Sequence, residues 1–194
     1  EILRQPLEDQ QVTISRAAGR VTYPASFTLI GSMNPCPCGY LSDPANECRC
    51  TASQIQKYRS KISGPLLDRI DIHIEVPAVS FKDMMKREPT ESSEAIRKRV
   101  SKTRNIQNER FKKNNIHSNG QMKSRHIKKY CQVNSQSRKI LNMAVDKMGF
   151  SARACNRILK ISRTLADMSE NTEILEGHIA EAIQYRTNDR KKLF

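Results

Sequence analysis

Residues 27–76 read FTLIGSMNPCPCGYLSDPANECRCTASQIQKYRSKISGPLLDRIDIHIEV. Phe27-Thr28-Leu29-Ile30 is an apolar run that ends in Ser32-Met33-Asn34. Two Cys-x-Cys pairs follow at once, Cys36/Cys38 and Cys48/Cys50. A Gly-Pro break at 64–65 leads through Leu66-Leu67-Asp68-Arg69 into residues 70–76. There Ile70, Ile72, Ile74 and Val76 alternate with Asp71, His73 and Glu75. A short continuously apolar run predicts a strand over 27–33 buried on both faces. Alternation predicts a second strand over 70–76, stopped by Pro77. Between them, 35–51 is a Cys-rich insertion with too much Pro and Gly to hold itself by burial, so it needs a staple.

Upstream, Glu1 to Glu8 (EILRQPLE) reads as the end of a helix. Val12-Thr13-Ile14 and Val21-Thr22-Tyr23 flank SRAAGR, which predicts a hairpin over about 11–23. Gly19 lies near its turn, with Arg16 and Arg20 beside its tip. Downstream, 53–61 is a short helix with Ile55 and Tyr58 on one side. The composition changes near residue 78, where a polar linker begins, and no strand is expected beyond it. Ser92 or Ser93 caps a basic helix to Phe111 with Ile96, Val100 and Ile106 as its apolar stripe. A short helix over 125–130 precedes one over 135–148 with Gly149 at its C′ position. Ser151 caps the next, to Met168, with Cys155, Ile158, Leu159, Ser162 and Leu165 inward. The last spans 175–185, with Ile179 and Ile183 inward. The predicted fold is α/β followed by all-α, as residues 1–77 and 78–194.

The 194 residues carry 34 Lys and Arg against 20 Asp and Glu, a net charge of +14. Such a balance points to a polyanionic partner, nucleic acid or nucleotide phosphate, although a merely basic solvated surface gives the same count. Aromatics make up 5% and Trp is absent, so the core is built from Ile, Leu, Val and Met. No apolar run approaches the ~18 residues of a membrane span. Four of the six cysteines fall between 36 and 50. That is a metal-site pattern, and it predicts a reducing, cytoplasmic setting. Cys131 and Cys155 lie in helical patterns and read as small buried apolar residues. The chain opens on Glu1 and is expected to be a piece of something longer.

Cys36, Cys38, Cys48 and Cys50 can close a tetrahedron of thiolates around Zn²⁺, which would supply the folding energy of the loop. An iron–sulfur cluster, disulfides or free thiols remain open from the residues alone. Asn34 ends an apolar strand, where α/β sheets hold ligands; Asn-Pro is equally a turn signal. Arg69 between Asp68 and Asp71 is either an ion-paired junction residue or a guanidinium offered to a phosphate. Arg153 and Arg157, four apart near a helix start, are a solvated basic face or a phosphate sensor. Arg16 and Arg20 are surface residues or contacts to a nucleic-acid backbone.

LRQPLEDQQVTISRAAGRVTYPASFTLIGSMNPCPCG, then CRCT and ISGPLLDRIDIHIEV, resembles the ComM/YifB-type magnesium-chelatase-like AAA+ ATPases of bacteria. SARACNRILKISRTLADM resembles the C-terminal lid of the same family. The likeness runs from about residue 1 to 187. The opening is also similar to replicative minichromosome-maintenance helicases in Gln10-Gln11 with Ile14-Ser15, in Asn34-Pro35 and in Arg69-Ile70-Asp71. The resemblance implies the C-terminal half of an AAA+ α/β core with a hairpin insertion, followed by a helical lid. It implies that Asn34 is the sensor-1 residue polarising the attacking water and Arg69 the arginine finger for the neighbouring subunit's ATP. Arg153 becomes the sensor-2 arginine over the γ-phosphate, and the Arg16/Arg20 hairpin faces DNA in a hexameric pore. The cysteines match the family's Cys-rich insertion. The implied activity is ATP-driven DNA branch migration or unwinding in DNA uptake and recombination.

The departures are large. No G-x-x-x-x-G-K-[ST] occurs, and no apolar run ending in Asp-Glu supplies a Walker-B carboxylate. ATP and Mg²⁺ are therefore expected only in a longer parent, and this chain alone is predicted to bind nucleotide weakly or not at all. Without the parallel strands that would flank 27–33, the α/β half is expected to be poorly covered. Two other functions stay in play: a zinc-stapled nucleic-acid-binding module without catalysis, and a magnesium-chelatase motor subunit.

Overall fold

A computed structural model describes residues 2–17, 19–41, 43–77, 79, 85 and 91–187. They fall into two compact units. The first holds the described residues of 2–70 and 75–77; the second holds Asp71–Ile74 and the described residues of 79–187.

In the first unit, α1 (Arg4–Asp9) runs into an antiparallel hairpin of β1 (Gln11–Arg16) and β2 (Gly19–Pro24). Its register pairs Val12 with Tyr23, Ile14 with Val21 and Arg16 with Gly19. The Thr13 and Thr22 hydroxyls meet across it at 3.0 Å, a cross-strand pair of the kind that pins register. Thr51 caps α2 (Ala52–Arg59), its side chain accepting from the Gln54 N–H while Gln54 returns to the Thr51 N–H. This reciprocal box satisfies two otherwise orphaned donors. The short α3 (Gly64–Leu67) starts on Gly64-Pro65, with Pro in the first turn where its missing N–H costs nothing.

The two strands expected over 27–33 and 70–76 are corrections. Among the described residues the hairpin is the one sheet. Residues 27–33 pair with nothing in it, and Phe27, Leu29, Ile30 and Met33 are exposed. Ile72, Ile74 and Val76 are exposed too. An apolar run specifies a strand only where other strands flank it and take up its N–H and C=O groups. Among the described residues no second strand flanks either run.

The second unit is helical: α4 (Ser93–Phe111), a 3-10 turn at Asn119–Gln121, α5 (Ser124–Tyr130), α6 (Ser135–Met148), α7 (Ala152–Met168) and α8 (Glu176–Thr187). The starts are set by caps: Ser92, Asn134 and Ser151 accept from the N–H of Ala95, Ser137 and Ala154. Gly149 ends α6 at φ 61°, the left-handed conformation that favours glycine there. An isolated parallel bridge joins Val133 and Ile174. Phe111, Leu141, Ala144, Phe150, Ile158, Ile174, Ile179 and Ile183 form the core, and Phe111 meets Tyr130 edge-on, centroids 5.5 Å apart. The stripe expected on α4 is corrected. Ile96 and Val100 are 42% and 49% exposed, whereas Thr103, Gln107 and Phe111 are buried.

The inward polar face of α4 has a partner. Asp167 on α7 is buried, and its carboxylate accepts from Arg110 (2.6 Å to Oδ2), Arg163 (3.0 Å) and Asn119 (2.8 Å). Asn119 is buried as well; its backbone N–H reaches Gln107 at 3.2 Å, and Arg163 donates onward to the Thr172 and Asn171 carbonyls. Buried charge is tolerated here because every group in the network is paired. Asp71–Ile74 packs into this unit through an Arg157–Asp71 ion pair and a 2.8 Å bond from the His73 N–H to the Tyr185 carbonyl. No helix among the described residues is long and apolar enough to cross a membrane.

Candidate functional site

The Cys-rich insertion folds as two facing turns. The Gly39 N–H bonds back to the Cys36 carbonyl at 3.1 Å. Gly39 sits at φ 87°, so a side chain there would be strained, and it would also meet the Asn34 amide at 3.8 Å. Asp43 organises the crossing between the turns, its Oδ1 accepting from the Ala45 and Asn46 N–H groups at 2.7 and 3.2 Å. These bonds also hold its pKa below the usual carboxylate value. After Cys50 the Thr51 cap starts α2, and Arg59 on that helix reaches back to the Pro35 carbonyl at 2.9 Å.

The result brings four sulfurs together. Cys36 is buried, the other three half-buried, and all four Sγ atoms lie within 4.8 Å of one another. Cys36 and Cys38 are 3.3 Å apart, Cys36 and Cys48 3.7 Å, Cys38 and Cys48 3.6 Å. A single Zn²⁺ at its usual ~2.3 Å from sulfur requires tetrahedral edges of about 3.8 Å. The donor set therefore fits one tetrahedral ion, and none of the four is in a disulfide.

The thiol chemistry agrees. The Tyr40 N–H, and more weakly the Cys36 and Cys50 thiols and the Arg49 N–H, bring Cys38 down to about 6 against opposing burial. At Cys50 the Cys38 N–H favours the thiolate, yet burial and the Cys38 and Cys36 sulfurs outweigh it and push the thiol up to about 12. Cys48 is raised for the same reasons, with the Cys50 N–H opposing. One thiolate is welcome and further ones repel it, a conflict that a divalent cation removes. The cluster could hold a metal ion. All four positions are filled by protein, so the ion would be structural rather than catalytic.

The predicted arginines and asparagine occupy different surroundings. Asn34 is exposed beside Gly39 at the entrance of the first turn. Arg69 donates to the Pro65 carbonyl at 2.6 Å and pairs with Glu8. Arg16 and Arg20 are exposed at the hairpin tip. In the second unit Arg153 is exposed in the first turn of α7, while Arg157 is engaged by Asp71. The Arg110–Asn119–Arg163–Asp167 network is absent from the sequence reading. The signal available for it was the i, i+4 pairing of Arg163 with Asp167 inside an apolar helix.

Residues 1–84 match the family described as magnesium chelatase, subunit ChlI, and residues 90–186 match its C-terminal family. The chain belongs to the magnesium chelatase ChlI family. Within it, the chain is 40% identical over 187 residues to competence protein ComM of Haemophilus influenzae, covering 96% of this chain and 36% of ComM. It is 37% identical over 194 residues to YifB of Escherichia coli, covering 98% and 37%. To Rv2897c of Mycobacterium tuberculosis it is 30% identical over 192 residues, covering 99% and 38%. The chain thus spans little more than a third of the length of these relatives.

Proposed function

We propose that this chain is the C-terminal part of a ring-forming, ATP-driven AAA+ DNA motor acting in DNA uptake and recombination. The observation that carries this reading is the match of residues 1–84 and 90–186 to the two successive ChlI segments, together with 40% identity to a competence protein. In this reading the rest of a longer, hexameric protein supplies the phosphate-binding loop and the Mg²⁺–ATP. This chain supplies Asn34 to orient the attacking water, Arg69 to stabilise charge at the neighbouring subunit's γ-phosphate, and Arg153 to close over the nucleotide. Arg16 and Arg20 on the exposed hairpin grip the DNA backbone. Cys36, Cys38, Cys48 and Cys50 hold Zn²⁺, which staples the insertion and takes no part in hydrolysis.

The finger role requires Arg69 to exchange Glu8 for a phosphate. Guanidinium suits both, since carboxylate and phosphate present the same paired acceptor geometry. The test is DNA-stimulated ATP hydrolysis by the full-length protein from its natural reading frame. Arg69→Ala is expected to lower the rate by about 10³-fold or more, with ATP binding retained. Hydrolysis unaffected by Arg69→Ala, Arg153→Ala and Asn34→Ala, or indifferent to DNA, overturns the motor reading.

The net charge of +14 beside the four converging cysteines favours a second reading, a zinc-stapled nucleic-acid-binding module without catalysis. DNA binding by a parent protein that shows no ATPase activity would select it.

A further inference from the structure

From Cys48 to Leu67 the chain carries Arg49, Lys57, Arg59 and Lys61 and no acidic residue. Arg59 is spent on the Pro35 carbonyl. The other three line an open groove of about 540 Å³ between the cysteine turns and α2, with Tyr58, Gln54, Pro37 and the cluster's Cys38 and Cys50 completing its walls. Arg49, Lys57 and Lys61 are exposed, and among the described residues none of the three is ion-paired with a carboxylate. Lys61 lies 5.9 Å from the centroid of the half-buried Tyr58 ring.

Three cations held along one groove, unopposed by carboxylates, lower the potential energy of a chain of negative charges more than that of a lone anion. An aromatic wall beside them adds what a phosphate chain alone does not need, a flat apolar face for a base. Duplex DNA keeps its bases stacked inside and offers nothing to that ring; a single strand does.

We propose that this groove binds single-stranded nucleic acid, with phosphates along Arg49, Lys57 and Lys61 and a base against Tyr58. The inference rests on the reading of the chain as a DNA-binding protein and adds a second contact surface, separate from the Arg16/Arg20 hairpin. The staple then has a purpose beyond stability, because the cysteine turns fix Arg49 and Pro37 opposite α2.

The test uses the complete metal-replete chain and a fluorescein-labelled oligothymidylate of about twenty nucleotides, read by anisotropy between about 50 and 200 mM salt. The combined Arg49→Ala, Lys57→Ala, Lys61→Ala variant should bind at least tenfold more weakly. Its log–log salt slope should fall by about two, at ~0.7 per lost phosphate contact. Tyr58→Leu should weaken the single strand about fivefold or more and leave a duplex of equal length unchanged; Tyr58→Phe, which keeps the ring, should bind as the parent. Unchanged metal content and circular dichroism show that each variant is folded. If the triple variant binds like the parent while Arg16→Ala with Arg20→Ala abolishes binding, the groove inference fails and the DNA-motor reading stands. If the parent chain binds no single strand, the groove inference fails, and the ATPase of the full-length protein decides the motor reading independently.

Discussion

The two units solve the problem of staying folded in opposite ways. Among the described residues, the helical unit buries fourteen apolar side chains from Phe111 to Ile183 around a satisfied polar network. In the first unit, among the described residues, only Pro6 and Cys36 are buried, and one of these is a sulfur of the thiol cluster. Its apolar residues Phe27, Ile30 and Met33 are exposed. One unit is therefore held by burial, which needs nothing from outside. The other depends on local turns, the Thr51 cap and a group that can hold a metal.

If the cluster holds zinc as proposed, removing it should break this contrast most strongly. Structural zinc contributes on the order of 10 kcal/mol in small sites at neutral pH. Chelation, or Cys36→Ser, should therefore abolish amide protection over 35–51 while leaving the thermal transition of the helical unit in place. Purified protein without stoichiometric metal, and with protection over 35–51 unaltered by Cys36→Ser, would sink the staple.

The reverse perturbation is Asp167→Ala. It strands buried Arg163 and Asn119 and most of Arg110, so a loss of about 3–5 kcal/mol is expected. It should appear in denaturant unfolding of the helices and leave metal content unchanged. A loss below about 1 kcal/mol would mean that the network contributes little.

Acid should also weaken the helical unit. His126 and His178 each accept an N-cap N–H through Nδ1, from Lys123 and Leu175, both at 3.1 Å. Burial lowers both pKa values, with help from Arg125, Lys123 and other cations at His126 and from Arg163 at His178. Because the folded values are depressed below 6.5, the unfolded chain takes up protons first. Stability is thus full above about 6.5 and declines as pH falls through the depressed values. Scanning Tm from pH 7.5 to about 5 checks the sign. His126→Gln with His178→Gln keeps an acceptor for each cap and should flatten the slope.

The smallest effect belongs to a single cap. Ser151→Ala removes the bond to the Ala154 N–H at 3.2 Å and should cost about 1 kcal/mol, read as a modest drop in the midpoint of urea unfolding.

Much of this was written locally. Ser92, Asn134 and Ser151 start helices and Gly149 ends one because a cap is made within three or four residues of itself. The hairpin needed only two β-prone triplets and a glycine. The cysteine cluster was legible because a thiolate site within fifteen residues is a short-range feature. The inward face of α4 was misread because Thr103 and Gln107 look like surface residues. Gln107 accepts from the Asn119 N–H, and Asn119 is held in turn by Arg110 and by Asp167, almost sixty residues beyond Arg110.

By itself, then, the sequence determined where helices begin and end, where the hairpin turns, and which four cysteines converge. Each of these is settled by neighbours along the chain. Tertiary structure alone decided that residues 27–33 and 70–76 pair with no other strand among the described residues, that Arg69 meets Glu8 and Arg157 meets Asp71, and that Arg49, Lys57 and Lys61 line one groove. Strand formation, ion pairing and groove charge depend on groups distant in sequence, and periodicity carries no information about which of them arrive.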